Sequence, residues 1–240
     1  MLRLARESSG WGWGKIAGGM RKLGFARFGR STVQRILERH GLWPRPCQGA
    51  MSWHDFLGHY GHFIWACDFC IVTTATLRTY YVLFFIEISS RRIVFWNVSE
   101  APDGPWTVQQ FRNLSLLDGK PPRYLLHDRD SKFTAHGDAL LGDAGSNVIR
   151  LPVRSPNLNA YAERWVRTVR EECLDRVIVL SENHLRWALR EFVRYYSERR
   201  PHRSLGLAVP EGPAEYPREG EVCRHQILGG LLNDYHRKAA

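Results

Sequence analysis

Three consecutive strand-forming runs, residues 62–73, 79–88 and 92–98, constrain the fold more than any other feature. Each is rich in Ile, Val, Phe, Tyr and Trp, and only the short polar breaks 74–78 and 89–91 separate them. Breaks of that length suit antiparallel hairpins. The first run, Phe63-Ile64-Trp65-Ala66-Cys67-Asp68-Phe69-Cys70-Ile71-Val72, reads as a central strand buried on both sides. It nevertheless contains Asp68. A lone carboxylate there is costly unless it is paired, hydrogen-bonded or bound to a cation.

Beyond the strands the pattern alternates: a helix around 106–117, a strand at 124–127, a helix around 133–141, a strand at 147–151 and a long helix over 159–174. Three strands followed by alternating helix and strand imply an α/β fold, a mixed five-stranded sheet flanked by helices. Ribonuclease-H-like folds use that order. Ahead of it, Ser31 and Gln34 form a capping-box pattern and Gly41 a helix stop, with an earlier helix near 15–22 and a turn containing Gly24 and Gly29. Helix, glycine-containing turn and a second helix bearing Arg35 and Arg39 on its polar face are the layout of a helix-turn-helix. The expected organisation is a helix-turn-helix segment over 1–45, a linker over 46–58 marked by Pro46, a catalytic-type core over 59–178, and a C-terminal segment over 179–240. That last segment combines a helix near 183–197 with a basic, proline-punctuated tail.

Charge agrees with this division. The net charge is +10, and residues 1–52 hold ten Lys and Arg against Glu7 and Glu38. A cation-rich N-terminus on a nearly neutral remainder suggests an attached nucleic-acid reader. Five scattered cysteines make no disulfide framework. The first ten residues lack the apolar stretch of a signal peptide, and the strongest apolar run, residues 80–86, stops at Glu87. A soluble, intracellular protein is expected.

Two further carboxylates sit in telling places. Asp128 follows Tyr124-Leu125-Leu126, at or just past the end of a strand. In the long helix Ala162, Trp165, Val166, Val169 and Cys173 make one apolar stripe, and Glu163, Arg167 and Arg170 fall together on its edge. Three converging carboxylates repel one another unless hard cations hold them, and oxygen-only ligation suits Mg²⁺ or Mn²⁺. Taken singly, each has a blander explanation: a hydrogen-bonded Asp68, a solvated loop charge at Asp128, and a Glu163–Arg167 pair along the helix. Cys67 and Cys70, preceded by His59 and His62, invite a zinc site. Residues three apart on a strand point to opposite faces, which argues against it. His127 is expected to pack at a strand end.

Together these motifs resemble the retroviral-integrase-like transposases of bacterial insertion sequences, whose Asp-Asp-Glu signature leaves about 35 residues before the glutamate. Trp65-Ala66-Cys67-Asp68-Phe69 looks like that family's first aspartate strand, and Leu126-His127-Asp128-Arg129-Asp130-Ser131-Lys132-Phe133 like its second. Ser155-Pro156-Asn157-Leu158-Asn159-Ala160-Tyr161-Ala162-Glu163-Arg164 closely resembles the Pro-x-x-Asn-Ala-x-x-Glu block. Tyr196-Ser197 and Arg200-Pro201-His202-Arg203-Ser204-Leu205 resemble its closing elements, and Trp13-Gly14-Lys15-Ile16 with Ser31-Thr32-Val33 its helix-turn-helix. Asp130 stands where a glycine is more usual, which leaves two candidates for the second carboxylate. Asp128 leaves 34 residues before Glu163 and Asp130 leaves 32, so spacing favours Asp128. The chain opens close to the helix-turn-helix, so an upstream half absent or separately encoded is expected.

The resemblance implies metal-dependent DNA cleavage and strand transfer, with Asp68, Asp128 and Glu163 holding two Mg²⁺ or Mn²⁺ ions. Arg154, Arg164, Arg167 and Arg170 then either hold DNA phosphates or serve helix solubility and local ion pairing. Asn157 and Asn159 are expected to cap the glutamate helix rather than touch DNA. It further implies element ends and target DNA as partners, a homo-oligomer on DNA, no membrane, and a cytoplasmic, nucleoid-associated location in a bacterium. Two alternatives stay open: a decayed transposase that only binds DNA, and a hydrolytic nuclease of the ribonuclease H type.

Overall fold

The structure, a computed structural model, describes residues 1–8, 11–25, 28–42, 59–117, 121–151, 159–211, 217 and 219–238. The chain forms two compact units, Met1–Ser52 and Trp53–Ala240.

The first unit holds three helices, α1 (Leu2–Glu7), α2 (Trp13–Lys22) and α3 (Arg30–Arg39). Ala5, Ile16, Ala17, Val33 and Leu37 make its small core. The capping box does not form. Gly29 occupies the N-cap of α3, placing Ser31 inside the first turn, while Gln34 Nε2 donates to Glu38 Oε1 at 2.9 Å. Gly41 does stop the helix, at φ 64°, and the Leu42 and Gly41 N–H groups close back on the Leu37 and Glu38 carbonyls. Arg35 and Arg39 are exposed on α3.

In the second unit β1 (Ile64–Thr73), β2 (Thr79–Glu87) and β3 (Ile93–Ser99) form the expected antiparallel meander. Next come α4 (Gly104–Ser115), β4 (Tyr124–His127), α5 (Ala135–Asp143), β5 (Asn147–Arg150), α6 (Ala160–Glu172) and α7 (Glu182–Glu198). The sheet order is β3-β2-β1-β4-β5, with β4 and β5 parallel to β1. This is the ribonuclease-H-like mixed sheet read from the sequence, with β1 at its centre. Helix boundaries follow capping groups: Asp103 accepts the Trp106 N–H at 2.8 Å, and Thr134 accepts the Gly137 N–H at 3.2 Å.

Strand alternation divides the core. Ile64, Ala66, Cys70 and Val72 face one layer with α6 and α7, whereas Trp65 and Cys67 face Phe111, Leu114 and Leu141 of α4 and α5. On the first side Trp165 packs on Phe84, ring centroids 4.1 Å apart. Arg186 of α7 ties itself to β3, donating to Asn97 Oδ1 at 2.8 Å and the Val98 carbonyl at 2.6 Å.

The basic tail differs from its sequence reading. It contains a hairpin, β6 (Val222–Ile227) and β7 (Leu232–Arg237). Ile227 and Leu232 join the α6–α7 core, and Arg199 Nη1 donates to Asp234 Oδ2 at 2.6 Å. Polar alternation along both strands hid them from an apolar scan, since one face of the hairpin is solvated. Among the described residues no helix is long and apolar enough to cross a membrane.

Candidate active site

Strand parity sets the direction of Asp68. It lies two residues from both Ala66 and Cys70, hence on the face that packs against α6. In the parallel β1–β4 pair Ile64 aligns with Tyr124 and Ala66 with Leu126. The same register carried on by two residues brings Asp128, just past the end of β4, alongside Asp68. Glu163 is in the first turn of α6. Ala162, Trp165 and Val169 bury the helix stripe, and Glu163 is left exposed at its edge.

Asp68 is half-buried. Its Oδ1 accepts the Phe69 N–H at 2.7 Å and its Oδ2 accepts Asn159 Nδ2 at 3.0 Å. Burial, followed by the charges of Asp128 and Glu163, pushes its pKa from 3.8 up to about 6, against the lowering effect of both hydrogen bonds. All three carboxylates therefore share one electrostatic environment. Among the described residues no three His, Cys, Asp or Glu side chains are grouped closely enough to hold a metal ion. Asp68 is held by Phe69 and Asn159, Asp128 Oδ1 accepts the Asp130 N–H at 3.0 Å, and Glu163 stands exposed at the helix edge.

Asp130, the rival second carboxylate, is occupied. Its Oδ1 accepts the Lys132 N–H at 2.9 Å and its Oδ2 accepts Lys132 Nζ at 2.7 Å. Burial pushes Asp130 up, but the Lys132 contacts outweigh it and hold the carboxyl below its ordinary value. His127 is buried beneath the Phe133 ring at 4.4 Å, a strand-end position. Its Nδ1 lies 2.5 Å from the Asp128 carbonyl oxygen and its Nε2 3.2 Å from Asp138.

Asn159 departs from its expected role. It sits at the N-cap of α6, yet its side chain caps no backbone N–H. Its amide nitrogen goes to Asp68 instead, and its Oδ1 is buried without a partner among the described residues. The clue was in the sequence: Asn159 lies one helical turn before Glu163, the motif's own spacing, but only the fold shows that Asp68 waits there.

The arginines separate. Arg164 and Arg167 are exposed on α6. Arg170 Nη2 instead donates to the Ile71 carbonyl at 2.6 Å, pinning α6 to β1. Arg154 and Asn157 lie outside the described residues. Cys67 and Cys70 are buried free thiols in opposite layers of the core, as strand alternation requires, and burial pushes both well up.

The sheet order and its flanking helices are those of a ribonuclease-H-like domain. Residues 144–210 match the family model described as Integrase core domain. That stretch includes Glu163 and the Arg200-Pro201-His202-Arg203-Ser204-Leu205 element but neither aspartate. Over 147 residues the chain is 26% identical to the "Insertion element IS476 uncharacterized 39.2 kDa protein" of Xanthomonas euvesicatoria, covering 61% of this chain and 42% of that protein. The chain thus spans less than half the length of the curated relative it matches. Among solved structures it is similar to the catalytic domain of Mos1 mariner transposase, at 15% identity and TM-score 0.46, covering 67% of this chain and 76% of that one. A structure of the Mos1 transposase catalytic domain and raltegravir with Mg has 15% identity and TM-score 0.47, covering 57% of this chain and 76% of that one. The chain is thus similar to an integrase core domain over residues 144–210 and to an insertion-element protein over 147 residues.

Proposed function

We propose that this chain is the catalytic part of an insertion-sequence transposase that cuts and joins DNA phosphodiesters with divalent metal. One observation carries the reading: a half-buried aspartate on the central strand is held near pKa 6 by burial and by the two other carboxylates of the motif. Three carboxylates that repel one another across the site are unfavourable without a use for them, and oxygen-only donors are the chemistry a hard cation takes. Asp68, Asp128 and Glu163 are the residues to hold Mg²⁺ or Mn²⁺, with two ions expected. Metal bound there supplies activation of the attacking oxygen and charge stabilisation of the departing one.

The chain's own side chains do the rest. Asn159 fixes the carboxylate plane of Asp68 through its Nδ2. Asp128 is the second ligand in preference to Asp130, whose carboxylate is neutralised by Lys132. Arg164 and Arg167, with Arg154, serve DNA phosphates, whereas Arg170 serves the fold. Residues 1–45, with Arg35 and Arg39, form the DNA reader. Element ends and target DNA are the partners, on which a homo-oligomer assembles in the bacterial cytoplasm and nucleoid.

An oligonucleotide assay with Mg²⁺ or Mn²⁺ tests this. Joined products are the expected result. Binding without cleavage would instead identify a decayed transposase, and cleavage without joining a nuclease of the ribonuclease H type. Asp128→Asn should abolish cleavage while Asp130→Asn retains it; the reverse would move the second ligand to Asp130.

A further inference from the structure

A pocket of about 550 Å³ opens between the first turns of α6, the end of α7 and the segment after it. Four guanidiniums line it, those of Arg91, Arg164, Arg200 and Arg203, and no carboxylate does. Only Arg200 is neutralised, by a two-pronged pair with Glu172 at 2.8 and 2.6 Å. Three cationic groups are left without a carboxylate partner among the described residues.

Arg91 is the most unusual of them. It occupies the β2–β3 turn at φ 67°, a conformation that glycine adopts without strain. Its guanidinium lies 4.0 Å from the Tyr161 ring centroid, and its Nε donates to Ser204 Oγ at 3.5 Å. Its Nη1 is buried with no hydrogen-bond partner among the described residues. Buried donors of a charged group are normally satisfied. Held on a strained turn by Tyr161 and Ser204, this guanidinium stands with three others around one pocket, and that arrangement marks a place where an anion fits.

We infer that this pocket, built by Arg91, Arg164, Arg203 and Ser204, is a phosphate-binding site for the DNA backbone. Guanidinium forks and a serine hydroxyl are the donors that phosphate oxygens take. Arg164, Arg203 and Ser204 stand at an exposed rim, which a polymer can cross without threading. The site also shares α6 with Glu163: Ala160, Tyr161, Arg164 and Thr168 line it, about 100° around the helix from the carboxylate edge. A strand whose phosphate is seated there is anchored one helix face away from the reacting carboxylates. Choosing DNA over a free anion rests on the transposase reading; the cationic pocket itself does not.

The test measures binding of a fluorescein-labelled duplex to the full chain by anisotropy over a series of salt concentrations, for wild type, Arg91→Gly and Arg203→Gln. Glycine suits the backbone at position 91, and Arg203 is exposed, so neither substitution strains the fold; melting curves verify that. Each variant should bind about tenfold more weakly, with the slope of log affinity against log salt reduced by about one for each lost phosphate contact. Wild-type affinity and slope in both variants would overturn the pocket assignment and leave the transposase reading standing. A wild-type chain that binds no duplex would overturn both. Inorganic phosphate that raises the melting temperature of wild type but not of Arg91→Gly, with duplex binding unchanged, would give the pocket to a free anion and overturn its assignment to DNA.

Discussion

Replacing Asp68 with Asn should stabilise the protein at neutral pH while removing the proposed metal site. In the fold Asp68 titrates at about 6, against 3.8 ordinarily, because burial and then the charges of Asp128 and Glu163 disfavour its ionised form. A raised acid means that the native state binds the proton more tightly than the unfolded chain does. The associated stability is therefore fully present below pH 3.8 and is lost as the pH rises through about 6. At 1.36 kcal/mol per pH unit the loss is at most about 3 kcal/mol, and partial exposure reduces it to about 1–2 kcal/mol. Asparagine carries no charge, keeps an acceptor for the Phe69 N–H, and meets Asn159, whose unpartnered Oδ1 can turn to accept its amide. Urea unfolding of wild type and Asp68→Asn in metal-free buffer, at pH 4 and at pH 7.5, measures the difference. The variant should gain at pH 7.5 by about 1–2 kcal/mol and gain little at pH 4. A variant less stable than wild type at pH 7.5, or a difference that does not change with pH, would refute the electrostatic account of the site.

Mg²⁺ or Mn²⁺ should raise the melting temperature of wild type, more at pH 7.5 than at pH 5, because the ion competes with the proton on Asp68. No rise should occur in Asp68→Asn; an equal rise would place the ion elsewhere. Trp165→Ala removes a fully buried ring packed at a tilt on Phe84 and should cost about 3–5 kcal/mol in urea unfolding. A cost under about 1 kcal/mol would mean that α6 is not seated on the sheet as described. Arg186→Ala breaks the bonds from α7 to Asn97 and Val98 and should cost about 2 kcal/mol. Retained stability with unchanged hydrogen exchange in β3 would argue that the tie is dispensable.

Much of the fold was legible because its elements obey simple periods. The β1–β3 meander announced itself by apolar runs with short polar breaks, and α6 by a stripe that buries Trp165 and Val169 as its spacing required. Helix α3 was legible too, although its capping pattern misled, since Gly29 and not Ser31 begins it. The β6–β7 hairpin was not legible. Its strands are mostly polar and become strands through pairing with each other and through Ile227 and Leu232 meeting the α6–α7 core.

The site divides the same way. Sequence alone singled out the candidate carboxylates, because Asp68 in an apolar strand and Glu163 on the edge of an apolar stripe are each anomalous where they stand. Tertiary structure decided how they relate. Parallel pairing of β1 with β4 brought Asp128 within electrostatic reach of Asp68, and Lys132 engaged Asp130. Asn159 turned from a cap into a partner of Asp68 across 91 residues of chain. Arg91, on a turn far from every motif, became part of a cationic pocket only when α6 and the segment after α7 closed around it. Local periodicity is written residue by residue along the chain, whereas charge pairing depends on distances that exist only once the sheet has assembled.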